Sequence, residues 1–98
     1  MKTRLAPAAV QDIVDILGFL STRSASASTG FRDRFREARQ FIGQYPLSGR
    51  QTDESNVRYV NTGKHPYLIF YEIFDAEVVI MRIIHGARNP QTMPARPS

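Results

Sequence analysis

Apolar residues at helical spacing predict a first helix near the start of the chain. They follow Pro7, which suits the first turn of a helix because its missing N–H is not needed there. The pattern predicts an amphipathic helix from residue 7 to about 21, with Asp12 and Asp15 on its polar side. The apolar positions are Val10, Ile13, Ile16, Leu17 and Leu20.

A second apolar stripe predicts another helix, whose firm part covers residues 31–45 and ends at Pro46. Its stripe comprises Phe31, Phe35, Ala38 and Ile42, and its arginines lie mostly on the opposite side. The small polar stretch 21–30 is either a loop or a weakly encoded start of this helix, which Ser24 could cap.

Three strands are predicted in the second half, at residues 57–61, 66–74 and 78–84, after a surface loop at 46–55. The strand 66–74 carries apolar residues on both faces, which is typical of a central strand covered on both sides. A short strand around Leu5 precedes the first helix.

The resulting order is β-α-α-β-β-β, an α+β fold in which a helical hairpin packs on one face of a small, mainly antiparallel sheet. We expect the other face to be less fully covered. Residues 1–90 are predicted to form one domain, and residues 91–98 a proline-rich C-terminal tail.

The charge balance indicates an acidic partner. The 98 residues carry a net charge of +4 and a sequence pI of about 10.0, which suits either nucleic acid or an acidic protein segment. There is no cysteine, and two histidines without an acidic cluster predict no metal site and no cofactor. Neither a signal peptide nor a membrane-spanning stretch is evident, so a cytoplasmic location is expected.

The last predicted strand ends in cations: Arg82, His85 and Arg88 follow one another at intervals of three. Three interpretations are open, namely a catalytic edge, a docking surface for an acidic partner, or the solvated end of an ordinary strand. A regular strand would place Arg82 and His85 on opposite faces. The simplest structural roles are a capping hydrogen bond for His85 and an ion pair between Arg82 and Glu72.

Several pieces in order resemble the RelE/ParE superfamily, the toxins of type II toxin–antitoxin systems. They cover roughly residues 3–90 and are LAPAAVQDIVDI, Pro46 followed by Gly49-Arg50, Arg58, PYLIFY and RIIHGAR. The chain looks closer to the ParE branch, where a final strand ending His-Gly-x-Arg is typical. The resemblance implies the fold described above and a neutralising ParD-like antitoxin with an acidic, amphipathic C-terminal segment.

The resemblance also implies a target. ParE-like members are associated with inhibition of DNA gyrase, whereas RelE-like members cut messenger RNA on the ribosome. The nuclease pattern is incomplete here, because Leu68 stands where an arginine is usual and residues 57–61 lack the lysine pair. We therefore expect a gyrase inhibitor that acts by binding and is not an enzyme. The alternatives are a diverged ribonuclease that uses His85, Arg88 and Arg82, or a degenerate toxin that only binds its antitoxin.

The antitoxin is expected to occupy grooves along the helices and to place its carboxylates near arginines at the sheet. No direct DNA binding without antitoxin and no membrane contact are expected. Tyr67 and Tyr71 are interpreted as core aromatics with solvated hydroxyls. The expected antitoxin contacts are Ile16, Phe19, Leu20, Phe31, Phe35, Arg58, Arg82 and Arg88.

Overall fold

The structure, a computed structural model, describes residues 1–63 and 66–86. The predicted order of elements is confirmed, with one short strand added inside the predicted 46–55 loop. The predicted Lys64-His65 turn, Arg88 and the tail 91–98 lie outside the described residues. The elements are β1 (Lys2–Leu5), α1 (Pro7–Ser21), α2 (Ala25–Gln44), β2 (Arg50–Gln51), β3 (Val57–Asn61), β4 (Tyr67–Phe74) and β5 (Glu77–His85).

The strands form one five-stranded sheet in the order β1-β5-β4-β3-β2. β1 runs parallel to β5, and the other pairs are antiparallel, so the predicted mainly antiparallel sheet is confirmed. α1 and α2 pack together as a hairpin on one face, which makes the fold α+β.

Local sequence signals set where the helices begin and end. α1 starts with Pro7 in its first turn, as the sequence predicts. α2 begins at Ala25, because the Ser24 hydroxyl accepts a hydrogen bond of 3.0 Å from the Ala27 N–H. The helical interpretation of the small polar stretch is therefore confirmed, and only three residues separate the helices.

β4 lies at the centre of the sheet and is buried on both faces, as its sequence predicts. Its odd-numbered residues Tyr67, Ile69 and Tyr71 join the core beneath the helices. Leu68 and Phe70 point the other way and form a second buried cluster with side chains of β3 and β5. This cluster is smaller than the core beneath the helices, so the second face is less fully covered, as the sequence predicts.

Charged side chains from the helices contact the β1–β5 side of the sheet at two points. Arg39 of α2 donates through Nη2 to the Thr3 carbonyl at 3.2 Å and through Nε to the Thr3 hydroxyl at 2.7 Å. On β5, Asp12 of α1 accepts a hydrogen bond of 2.9 Å from the Ile83 N–H. Ile83 lies beyond Ile80, the last residue of β5 that pairs with β1. An exposed strand edge is a template for further strands, and each contact occupies one backbone group on this side of the sheet.

The turn between β4 and β5 consists of Asp75 and Ala76, because Glu77 already pairs with Phe74. Both turn residues have positive φ, 52° and 64°. That is the conformation of the tight turns which best match the twist of antiparallel strands. In the part of the chain that the structure describes, no helix is both long and apolar enough to cross a membrane.

Candidate functional site

Arg82 is held by a carboxylate from α1. Its Nε and Nη2 donate to the two oxygens of Asp12 at 2.8 and 3.1 Å, a two-pronged arrangement. This hydrogen bond raises the pKa of Arg82. The ion pair therefore forms with a residue seventy positions away, where the sequence suggested Glu72, which instead lies opposite Val79. The placement of Asp12 on the solvent side of α1 was also wrong.

His85 follows Arg82 by three positions on β5. It sits opposite Tyr67, while Arg82 sits opposite Phe70, beside the register shift between β4 and β5. The His85 side chain is exposed, and its ring meets the Tyr67 ring edge-on with centroids 5.8 Å apart. The two side chains therefore have different neighbours, Asp12 for Arg82 and Tyr67 for His85.

Tyr71 is fully buried, and its hydroxyl ties β4 to the loop after α2. The hydroxyl donates to the Pro46 carbonyl at 2.8 Å and accepts from the Gly49 N–H at 2.9 Å. The expected solvated hydroxyl is thus wrong for this residue. Burial raises the pKa of Tyr71, against the lowering effects of hydrogen bonds from Gly49 and Ser48 and of the nearby Arg58 charge.

Arg58 holds the same loop from the neighbouring strand. Its Nη1 donates to the carbonyls of Leu47 and Gly49 at 3.2 and 2.9 Å. Gly49 has no room for a side chain, since a Cβ there would overlap the Tyr71 hydroxyl. Pro46, Gly49 and Arg58 were separate pieces in the sequence, and no local pattern connected them with Tyr71. In the structure the Tyr71 hydroxyl binds Pro46 and Gly49, and Arg58 binds the same loop.

The apolar residues expected to contact the antitoxin divide into two groups. Ile16, Leu20 and Phe31 are buried in the core, where they present no surface to a partner in this conformation. Phe35 is half-buried against the same core. Phe19 is 54% exposed and lies under the Arg23 guanidinium at 5.1 Å from its ring centroid.

Two exposed apolar surfaces stand out on the helices. On α1, Val10 and Val14 are about half exposed and lie one turn apart, on the same helix as Phe19. At the end of α2, Phe41, Tyr45 and Leu47 project into solvent. Val14 falls outside the apolar stripe predicted from the sequence, whereas Val10, which was assigned to that stripe, is 46% exposed. In the described part of the chain, no three potential metal-ligating acids, histidines or cysteines come together.

Comparisons with known proteins agree with this architecture. The family model described as "ParE toxin of type II toxin-antitoxin system, parDE" matches residues 3–90. "Toxin RelE3" of Caulobacter vibrioides is 31% identical over 84 residues, which cover 84% of this chain and 90% of that protein. A structure of the chromosomal ParDE system from P. aeruginosa superposes with a TM-score of 0.73 at 16% identity, over 87% of this chain and 95% of that one. The chain therefore belongs to the ParE toxin family of type II toxin–antitoxin systems, within the RelE/ParE superfamily.

Proposed function

We propose that this toxin inhibits DNA gyrase in the cytoplasm by binding to it, and that a ParD-like antitoxin neutralises it. The observation that carries the proposal is the pairing of Arg82 with Asp12. Cleavage of RNA needs a cation free to stabilise the growing charge on phosphate. Both oxygens of Asp12 already occupy the guanidinium of Arg82, whose side chain is 27% exposed.

The strand residues around Arg82 support the same conclusion. Leu68 and Tyr71 are buried in the two hydrophobic clusters, so neither presents a polar group to a bound RNA. His85 is exposed and its ring contacts Tyr67, whereas Arg82 is paired with Asp12. A protein that acts by binding needs no acid, base and cation within one site.

A diverged ribonuclease is the second candidate function. It is favoured by the exposed imidazole of His85 and by the similarity to a toxin named RelE3. In this version His85 and Arg88 would act together, with Arg82 released from Asp12. A chain that retains antitoxin binding alone is the third.

The exposed apolar surface of α1 is the proposed seat for an amphipathic antitoxin helix. Val10 and Val14 supply apolar side chains one turn apart, and no Lys or Arg lies between Pro7 and Ser21. Phe19 lies nine positions after Val10, about half a turn around the helix, so it would contact a different part of the antitoxin. An apolar helix face laid against such a surface buries area that water now contacts. Of the contacts expected from the sequence, Phe19 and Phe35 remain in this proposal, with Arg58 and Arg88 as sites for carboxylates, whereas Arg82 is already paired with Asp12.

The test is gyrase supercoiling of relaxed plasmid with purified toxin, with and without antitoxin. Dose-dependent loss of supercoiling that the antitoxin reverses would establish the proposal. Unaffected supercoiling by folded protein that arrests growth would refute it. Arg88→Ala then separates the alternatives, because RNA cleavage by the wild type and its loss in the variant would establish the ribonuclease. Healthy cells at a verified level of toxin would leave only the third candidate.

A further inference from the structure

The end of α2 and the following loop carry a concentrated apolar surface, here called the 41–47 patch. Phe41, Tyr45 and Leu47 are 48%, 52% and 69% exposed, and the two aromatic rings lie 5.3 Å apart between centroids. They border an open depression of about 560 Å³. Its lining consists of Phe41, Gln44, Tyr45, Pro46, Leu47 and Ser48. Large apolar side chains grouped in this way are typical of binding surfaces.

The backbone beneath the 41–47 patch is fixed from inside the protein. The carbonyls of Pro46 and Leu47 accept hydrogen bonds from the Tyr71 hydroxyl and the Arg58 guanidinium. The Ser48 N–H donates to the Tyr45 carbonyl at 3.0 Å. These hydrogen bonds fix the backbone of the loop, so the Leu47 side chain remains exposed to solvent. A surface that is already ordered loses less conformational entropy when a partner binds.

The charges around the 41–47 patch favour an acidic partner. None of the six described residues that line the depression is a carboxylate. Arg50 is exposed and follows the loop directly, and Arg58 reaches it from β3. Glu37, beyond Phe41, is paired with Arg34 at 3.4 Å. The exposed side of α1, by contrast, carries Asp15 and no cation, so a carboxylate-rich segment fits the patch better than it fits α1.

We propose that the 41–47 patch docks one segment of the antitoxin, which places a large apolar side chain against Phe41 and Leu47 and carboxylates beside Arg50 and Arg58. This inference rests on the proposed neutralisation by an antitoxin and adds a second anchor point to the α1 surface. A second copy of the toxin fits the patch less well, because each copy has a net charge of +4 and would bring Arg50 against the same basic surface.

The test compares the affinity of the purified antitoxin for full-length toxin variants, by calorimetric titration. Leu47→Ala removes the most exposed side chain of the patch and should weaken binding at least tenfold, as at the centre of other interfaces. Arg50→Glu should weaken it several-fold at low salt and less at high salt. Phe74→Ala, at a 60% exposed position in the β4–β5 hairpin, is the matched control and should change the affinity less than twofold.

If wild-type toxin does not bind the antitoxin, both the proposed neutralisation and the proposed docking site are refuted. If wild-type toxin binds but Leu47→Ala and Arg50→Glu bind equally well, only the docking site is refuted. Sedimentation that shows a toxin dimer lost on Leu47→Ala, with unchanged antitoxin affinity, would assign the patch to a second copy and overturn the proposal.

Discussion

Replacing Tyr71 with phenylalanine tests whether one buried hydroxyl holds the loop after α2. The ring of Tyr71 stays in the core in this variant, so the loss is confined to the oxygen. That oxygen connects β4 with Pro46 and Gly49, which lie 25 and 22 residues away in the sequence. The substitution therefore removes a link between distant segments and leaves the hydrophobic packing almost unchanged.

The size of the effect follows from the two hydrogen bonds. A typical bond contributes about 1 kcal/mol, and a buried donor left without a partner costs about 1–3 kcal/mol. The Gly49 N–H becomes such a donor when the hydroxyl is removed. We expect Tyr71→Phe to lower the free energy of unfolding by roughly 2–3 kcal/mol, which in a domain of this size lowers the Tm by roughly 8–24 °C.

Thermal and urea unfolding followed by circular dichroism would measure this loss. Tyr45→Phe is the matched control, because Tyr45 is 52% exposed at the surface of the same region. The control should stay within about 0.5 kcal/mol of the wild type, as surface substitutions usually do. A Tyr71→Phe variant as stable as the control would show that the hydroxyl does not hold the loop.

The raised pKa of Tyr71 adds a dependence on pH. Above the ordinary value of 10.0, the tyrosine in the unfolded chain loses its proton while the folded protein still retains it. The unfolded state then binds fewer protons, so the stability falls as pH rises. This contribution is complete below pH 10 and is lost as pH rises through the folded pKa. The difference in stability between wild type and Tyr71→Phe should therefore shrink above about pH 10; a constant difference would contradict the assignment.

Three further substitutions probe other features by unfolding measurements. Ala76→Gly should raise the free energy of unfolding by up to about 1 kcal/mol, because Ala76 has a φ of 64° that favours glycine; a loss of stability would contradict the turn geometry. Gly49→Ala should destabilise the fold by about 2 kcal/mol or more, since its Cβ would overlap the Tyr71 hydroxyl, and an unchanged Tm would argue against the close contact. Asp12→Ala should cost roughly 3 kcal/mol, and a double-mutant cycle with Arg82→Ala should give a coupling energy of about 1–3 kcal/mol; additive effects would refute the pairing.

Much of the fold could be predicted because its signals are local. The stripe after Pro7 and the alternation in β4 each report burial directly, and both elements appear where the sequence placed them. β2 could not be predicted in this way, because two exposed residues show no periodicity. The extra residue of β5 at the register shift opposite Phe70 and Tyr71 also leaves no local trace.

The candidate site was harder to predict, because its contacts join distant segments. Helical periodicity assigns Asp12 to the polar side of α1, yet a residue at the border of that side reaches the edge of β5. Likewise, an apolar residue at a helical spacing shows the same sequence pattern whether it packs in the core or lies exposed at an interface. Leu20 and Phe19 were therefore assigned together, although one is 8% and the other 54% exposed.

Arg39 and Asp12 each occupy a backbone group on the β1–β5 side of the sheet, which hinders the addition of a partner strand there. Hydrogen bonds along an open edge are made by the backbone, so they would accept strands of almost any sequence. If the antitoxin docks on the helices, as proposed, recognition rests instead on side chains such as Phe19 and Leu47. A few substitutions at such positions could change which antitoxin is accepted while leaving the sheet intact. Related toxin–antitoxin pairs could thus coexist in one cell, with each toxin neutralised only by its own antitoxin.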